Sequence, residues 1–319
     1  MRRRSVRQDR WSLGRRLREG EVSDSMAQAN AIGFIGLGVM GEPICRNLLK
    51  KSGRPVVAFD LSPEPLARLR GEGAAVAGSI AELMTQSELV FYCLPSGKHV
   101  RGLFENKGGI LENACAGQVI VDLGTSPVGL TRELAEKLEA RGASFADAPI
   151  ARTREAAING TLSVMVGASP ALFARIEPLI RCFATEVTNC GGVGAGQVTK
   201  ILNNMVLFQT VNALAEAAAI ARRSGVEPKL LFETLAKGSA DSFALRNHGL
   251  KAVIPGEFPE RAFSTEYALK DLSYALDLAR DVALSAPGAE LAGSVLQEAI
   301  DNGFGAAYWP VIAKVVDRR

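Results

Sequence analysis

The architecture of this chain turns on the stretch Ala31-Ile-Gly-Phe-Ile-Gly36-Leu-Gly38-Val-Met-Gly41. Its first five residues form a short apolar run bounded by glycine, which predicts a buried strand over Ala31–Ile35. The glycines that follow have G-x-G-x-x-G spacing, and the segment 39–51 predicts a helix. Such a turn is tight at its first glycine, lets a ligand approach the backbone at the second, and packs the helix on the strand at the third. The helix start then offers N–H donors and a positive dipole end, which suits a pyrophosphate. Asp60 closes a second apolar run, Pro55–Phe59, 24 residues after Gly36, where its carboxylate is placed for a ribose 2′-hydroxyl. The pattern predicts a dinucleotide site made of Gly36, Leu37, Gly38, Val39, Met40, Gly41 and Asp60. Asp60 repels a 2′-phosphate, and Leu61-Ser62 supplies no arginine, so NAD is expected over NADP.

Working outward, serine caps and proline opens a helix at Ser62-Pro63. Strands are predicted at Leu89–Cys93, Gln118–Val121, Ser144–Asp147 and Thr161–Val166, with a helix over Thr131–Arg141. Strand and helix alternate at βαβ spacing, which predicts an α/β fold: an N-terminal Rossmann domain, residues 30–190, with a doubly wound parallel sheet. After Cys190-Gly-Gly-Val-Gly-Ala-Gly196 the texture changes. Val198, Ile201, Leu202, Met205, Leu207, Phe208, Val211, Leu214 and Ala218 recur at helical spacing over 197–223. Beyond that the pattern is helical, broken at Gly225, Gly238, Pro255, Pro259 and Pro287. Residues 191–319 are therefore expected to form an all-α domain for substrate and dimerisation.

With 47% hydrophobic and 22% charged residues, the chain of 319 is neither disordered nor a disulfide scaffold. No run of about 18 apolar residues exists to span a membrane. Five scattered cysteines without a C-x-x-C pair, and only two histidines, predict a reduced, cytoplasmic, metal-free protein. The net charge of +3 divides unevenly. Residues 1–25 hold eight arginines against four acids, net +4, which leaves −1 for the rest. The basic extension, 1–29, is expected to be disordered and dispensable, with Met26 as a natural start. Its acids argue against a transit peptide, and the neutral body against nucleic-acid binding.

Two further segments carry polar residues where chemistry needs them. Lys200 and Asn204 are i,i+4 on one helix face with Asn203 alongside, interrupting an apolar run. A lysine beside a nicotinamide can pass the proton that accompanies hydride transfer. The segment Asp147–Gly160 leaves a strand end, the usual place for ligands of open α/β sheets, and includes Arg152 and Arg154, which otherwise read as solvated loop charges. His99, after Leu94-Pro95, reads as a loop residue rather than a ligand.

GFIGLGVMGEPICRNLLKKSG, DAPIARTREAAINGTLSVMVG, GGVGAGQVTKILNN and ALKDLSYALDLA together resemble, in order, the signatures of the β-hydroxyacid dehydrogenase family. The resemblance covers about 31–300 and implies a 6-phosphogluconate dehydrogenase-like fold. It also implies dimers or tetramers and reversible, NAD-dependent oxidation of a small anionic 3-hydroxy acid to its semialdehyde. Members of the 3-hydroxyisobutyrate dehydrogenase and 2-hydroxy-3-oxopropionate reductase type act so. It implies Lys200 as the catalytic lysine, Asn203 and Asn204 as substrate ligands, and Lys270 as a lysine closing over the cofactor. Val39, Met40, Leu94, Pro95 and Thr125 fall where the family contacts the dinucleotide. One departure stands out: the family's D-A-P-V-S-G-G here ends Ala151-Arg152-Thr153. The serine hydroxyl is gone, and a guanidinium suited to carboxylate, sulfonate or phosphate takes its place. Sulfolactaldehyde reductases resemble the chain at this point, which makes a sulfonated substrate the alternative. Imine reductases share the fold but usually lack the lysine. A non-catalytic dinucleotide-binding module with a basic nucleic-acid arm is disfavoured by that same lysine.

Overall fold

The computed structural model describes residues 30–260 and 262–318, so the expectations for the basic extension lie outside the described residues. Apolar side chains alternate along the first strands, and each alternation feeds a different core. In β1 (Ala31–Ile35), Ile32 and Phe34 join Ile44, Leu48 and Phe91 on one face. Ala31 and Ile35 join Val90, Tyr92 and Phe104 on the other. This is the pattern of a sheet covered on both faces. Gly33 lets α3 and β4 pack close, since a Cβ there would lie 2.6 Å from Leu83 Cδ2 and displace that side chain.

The elements follow as α1 (Gly41–Lys51), β2 (Val56–Phe59), α2 (Pro63–Gly71), β3 (Ala75–Val76), α3 (Ile80–Gln86) and β4 (Ser87–Tyr92). Then come α4 (Gly97–Glu105), α5 (Ile110–Asn113), β5 (Val119–Asp122), α6 (Val128–Glu139) and β6 (Ser144–Asp147). The unit closes with β7 (Ile150–Ala151), α7 (Arg154–Asn159), β8 (Leu162–Gly167), α8 (Pro170–Ile180) and β9 (Ala184–Gly191). His99 therefore sits on α4, with Nδ1 2.8 Å from Ser96 Oγ, and not in a loop.

The sheet runs β3-β2-β1-β4-β5-β6 with every pair parallel. Beyond β6 the alternation gives way to a mixed edge that the strand spacing does not reveal. β8 lies antiparallel to β6 and β7, while β9 returns parallel to β8. Connection length accounts for both. The six-residue α7 is too short for a parallel crossover, whereas the eleven-residue α8 suffices for one.

A second compact unit begins at Val198, the first ending at Gln197. Its main element is α9 (Ala195–Arg223), 29 residues and about 43 Å long. Ile201, Phe208, Val211, Leu214 and Ala218 are buried along it, but Leu202 is 40% exposed. There follow α10 (Pro228–Leu235), a π-helical stretch (Leu245–Val253), α11 (Thr265–Asp281), α12 (Pro287–Ala299), a second π-helical stretch (Ile300–Phe304), a 3-10 turn (Trp309–Val311) and α13 (Ile312–Val316). The expected break at Pro287 falls between α11 and α12, and the proline opens α12 because its fixed φ suits the first turn. Fully buried Trp309 centres this unit's core, packed edge-on against Phe208 at 4.8 Å. His248 shares a 2.5 Å hydrogen bond with the Tyr308 hydroxyl, and burial lowers its pKa to about 4, which keeps it neutral. Among the described residues no helix is long and apolar enough to cross a membrane.

Candidate active site

The glycine turn has the geometry its spacing predicts. A Cβ on Gly41 would lie 1.9 Å from the Gly36 carbonyl oxygen, so α1 meets the turn backbone to backbone. Gly36 adopts φ +89°, a conformation that favours glycine. Around Gly38, by contrast, a Cβ would meet nothing within 4 Å, and Gly38 and Val39 are exposed. That open space lies beside the start of α1, whose N-cap Met40 contributes no side-chain cap. Within the first turn Glu42 N already donates to the Gly38 carbonyl at 3.1 Å and Pro43 has no N–H, which leaves the Gly41 amide at the helix start for an anion.

Asp60 is fixed at the end of β2 by two backbone donors. Oδ2 accepts from Leu37 N at 2.5 Å and Oδ1 from Ser62 N at 2.7 Å. Each oxygen keeps capacity for a second donor, as a ribose diol requires. Leu37, Gly38, Val39 and Asp60 line a cavity of about 620 Å³ together with Ser62 and residues of α1, α2 and α7. Leu94 and Thr125 are half-buried and Pro95 is exposed, at the ends of β4 and β5. These residues fit a dinucleotide: a turn open to phosphate, an uncapped helix start and a fixed carboxylate.

At the ends of β5 and β6 lies a carboxylate pair that the motif reading did not single out. Asp122 accepts from Gly124 N at 2.7 Å and Ser126 Oγ at 2.8 Å. Asp147 accepts from Gly194 N at 2.6 Å and Gln197 N at 2.7 Å, which caps the start of α9 with negative charge. Gln197 joins the two, donating to the Gly124 carbonyl and accepting from Ser126 N. Burial raises Asp122 to about 7 and Asp147 to about 6 against the pull of these donors. Gly196 packs so closely here that a Cβ would lie 2.3 Å from the Met165 carbonyl oxygen.

One turn further along α9 the predicted polar face is present. Lys200 is half-buried, and desolvation pushes its pKa below the ordinary lysine value of 10.5. Asp271 acts in the opposite direction and Lys270 in the same one. Asn204 is buried and donates to Asp271 Oδ2 at 2.8 Å, while exposed Asn203 donates to Asn204 Oδ1 at 3.2 Å. Lys270 Nζ pairs with Asp271 Oδ1 at 2.9 Å and lies 4.4 Å from the Tyr267 ring centroid. So Lys200, Asn203, Asn204 and Lys270 share one cluster around Asp271, a residue the sequence reading passed over. The available signal was its place next to Lys270 on the buried side of α11.

The Ala151–Thr153 segment is organised differently. Arg152 sits at φ +85° without being glycine, a backbone cost of about 1 kcal/mol or more. Its Nη1 donates to the Thr161 carbonyl at 2.5 Å and to Thr185 Oγ1 at 3.1 Å. Its guanidinium is therefore tied to the strands rather than loosely solvated, and the other N–H groups remain for an anion. The Thr153 hydroxyl is already engaged in capping α7, accepting from Ala156 N at 3.4 Å. Among the described residues no group of three or more His, Cys, Asp or Glu is placed to hold a metal ion.

Comparison with known proteins follows the same two units. Residues 31–192 match the model for the NAD binding domain of 6-phosphogluconate dehydrogenase. Residues 194–312 match that for the NAD-binding region of NADP-dependent 3-hydroxyisobutyrate dehydrogenase. The 2-(hydroxymethyl)glutarate dehydrogenase of Eubacterium barkeri is 32% identical over 91% of this chain and 96% of its own. The 3-hydroxyisobutyrate dehydrogenase of Pseudomonas aeruginosa is 35% identical over 82% of this chain and 89% of its own. Among solved structures, the Mycobacterium tuberculosis 3-hydroxyisobutyrate dehydrogenase described with L-serine superposes with a TM-score of 0.83 at 28% identity, over 90% of this chain and 99% of that one.

Proposed function

This chain belongs to the β-hydroxyacid dehydrogenase family of oxidoreductases, and on that footing we propose that it moves hydride between NAD and a small anionic 3-hydroxy acid of the 3-hydroxyisobutyrate type. The observation that carries this reading is Lys200. It is half-buried, depressed in pKa, and set beside Asn204, which Asp271 holds. The bound nicotinamide supplies the hydride acceptor or donor. Neutral Lys200 takes the hydroxyl proton as the alcohol is oxidised, and protonated Lys200 returns it to the forming alkoxide in reverse. Asn203 and Asn204 orient the substrate by hydrogen bonds. NAD is favoured because Asp60 faces the ribose with negative charge. In addition, Arg46 and Arg68 of the same cavity are already bound by Glu42 and Glu72. The protein works as a homodimer or homotetramer.

The second reading, a sulfonated substrate, rests on the remaining donors of Arg152. A panel of short acidic aldehydes with NADH and NADPH, including tartronate semialdehyde and sulfolactaldehyde, tests both readings. Comparison of wild type with Arg152→Ala extends the test. If Arg152 holds the anion, kcat/KM falls by roughly 10–150-fold on the true substrate, with NADH affinity unchanged. An effect below twofold on every substrate makes Arg152 a structural tie alone. No turnover with any hydroxy acid or aldehyde removes the dehydrogenase reading.

A further inference from the structure

The cavity beside the glycine turn holds a cation that the dinucleotide signature does not include. Three guanidiniums line it: Arg46 on α1, Arg68 on α2 and Arg154 on α7. Two are neutralised within the protein. Arg68 makes a two-pronged contact with Glu42, Nε to Oε1 and Nη2 to Oε2, both at 2.8 Å. Arg46 reaches Glu42 at 2.9 Å and Glu72 at 2.7 Å. These hydrogen bonds, that from Arg68 foremost, hold the Glu42 carboxyl down to about 2, so it stays ionised at any working pH. Arg154 is exposed and its side chain has neither a hydrogen bond nor an ion pair among the described residues.

The geometry points to Arg154 as a ligand of the cofactor's pyrophosphate, a contact that rests on the dinucleotide reading of this site. Besides Glu42 the lining contains the carboxylates of Asp60 and Glu64. With Arg46 and Arg68 already matched, an incoming pyrophosphate would face uncompensated negative charge unless Arg154 answers it. The helix start and the open face of Gly38 supply amide donors but no full positive charge. A guanidinium on the short helix α7 presents a planar fork matched to two phosphate oxygens. Arg154 is two residues from Arg152, so one segment, 152–154, gives one arginine to Thr161 and to Thr185 of β9 and another to the nucleotide cavity.

The test is binding to the intact enzyme, read by fluorescence titration of NADH and NADPH and by calorimetry of ADP-ribose, ADP and adenosine. Arg154→Ala should weaken NADH, ADP-ribose and ADP by about 10-fold and leave adenosine unchanged. Arg154→Lys should recover part of the loss, and the difference between wild type and Arg154→Ala should shrink as salt is raised. If wild type binds NADH and Arg154→Ala binds it within twofold, the arginine contact is wrong while the dinucleotide site stands. A loss confined to NADPH assigns the arginine to a 2′-phosphate and also overturns the proposal. Failure of wild type to bind NADH, NADPH or ADP-ribose removes the dinucleotide reading and the contact together.

Discussion

At the scale of single residues, Lys200 carries the sharpest consequence. A lysine whose pKa is depressed by desolvation is neutral over a wider range of pH than a free one. Alcohol oxidation needs the neutral amine, so its kcat/KM should rise with pH through a limb centred below 10.5; aldehyde reduction needs the ammonium and should fall through the same limb. Lys200→Ala should abolish that limb and lower turnover by at least about 10²-fold, with NADH affinity retained. A mutant with near-normal turnover, or an unchanged profile, takes the lysine out of the mechanism. Lys200 and Asn204 were legible in the sequence because polar groups at i,i+4 interrupt an apolar face. Asp271 was not. Its partner Asn204 comes from another helix 67 residues away, and local spacing holds no trace of that pairing. The side-chain tie of Arg152 was hidden for the same reason, since Thr161 and Thr185 reach it through strand pairing.

At the scale of elements, the strands that the sequence announced are those buried on both faces. β1, β4 from Leu89 onward and β5 up to Val121 are apolar runs, and the strand bounds fall within two residues of expectation. β3 and β7 have two residues each, and β9 is mostly exposed and polar, so no periodicity marks them. Asp122 and Asp147 close β5 and β6 and carry a pH dependence that belongs to this pair of elements. Burial raises both carboxyls in the folded chain, from 3.8 to about 7 and about 6, so the folded state binds protons more tightly than the unfolded one. Their contribution to stability is therefore greatest below about pH 4 and declines as pH rises to about 7, by at most about 1.4 kcal/mol per unit for each group. Glu42, lowered to about 2, acts oppositely and only below its ordinary 4.5. Denaturant unfolding at pH 4, 5.5 and 7 should show a flatter profile for Asp122→Asn than for wild type. Parallel profiles would mean that Asp122 is ionised in the folded chain throughout.

For the molecule as a whole, the helical unit leaves apolar side chains in water. Leu202, Val206 and Ile220 are 40%, 58% and 66% exposed and fall along one stripe of α9. A second copy of the chain covering such a stripe accords with the proposed homo-oligomer. Light scattering should then give a mass at a multiple of 33.8 kDa, and Ile220→Glu should shift it towards the monomer without loss of NADH binding. A monomeric wild type ends that expectation. The change of texture places a boundary at 190/191, whereas the two compact units divide between Gln197 and Val198, a seam the sequence hides because α9 runs through it unbroken. That continuity bears on how such enzymes can be recombined. A breakpoint between Gln197 and Val198 leaves Asp147 with the two amides it caps but splices α9 from two parents less than one turn before the lysine. A junction in Gly191–Gly194 keeps the helix whole but draws Asp147 from the other parent, so viable chimaeras between relatives should carry their junction upstream of Asp147 and inherit the carboxylate, the turn and the helix together.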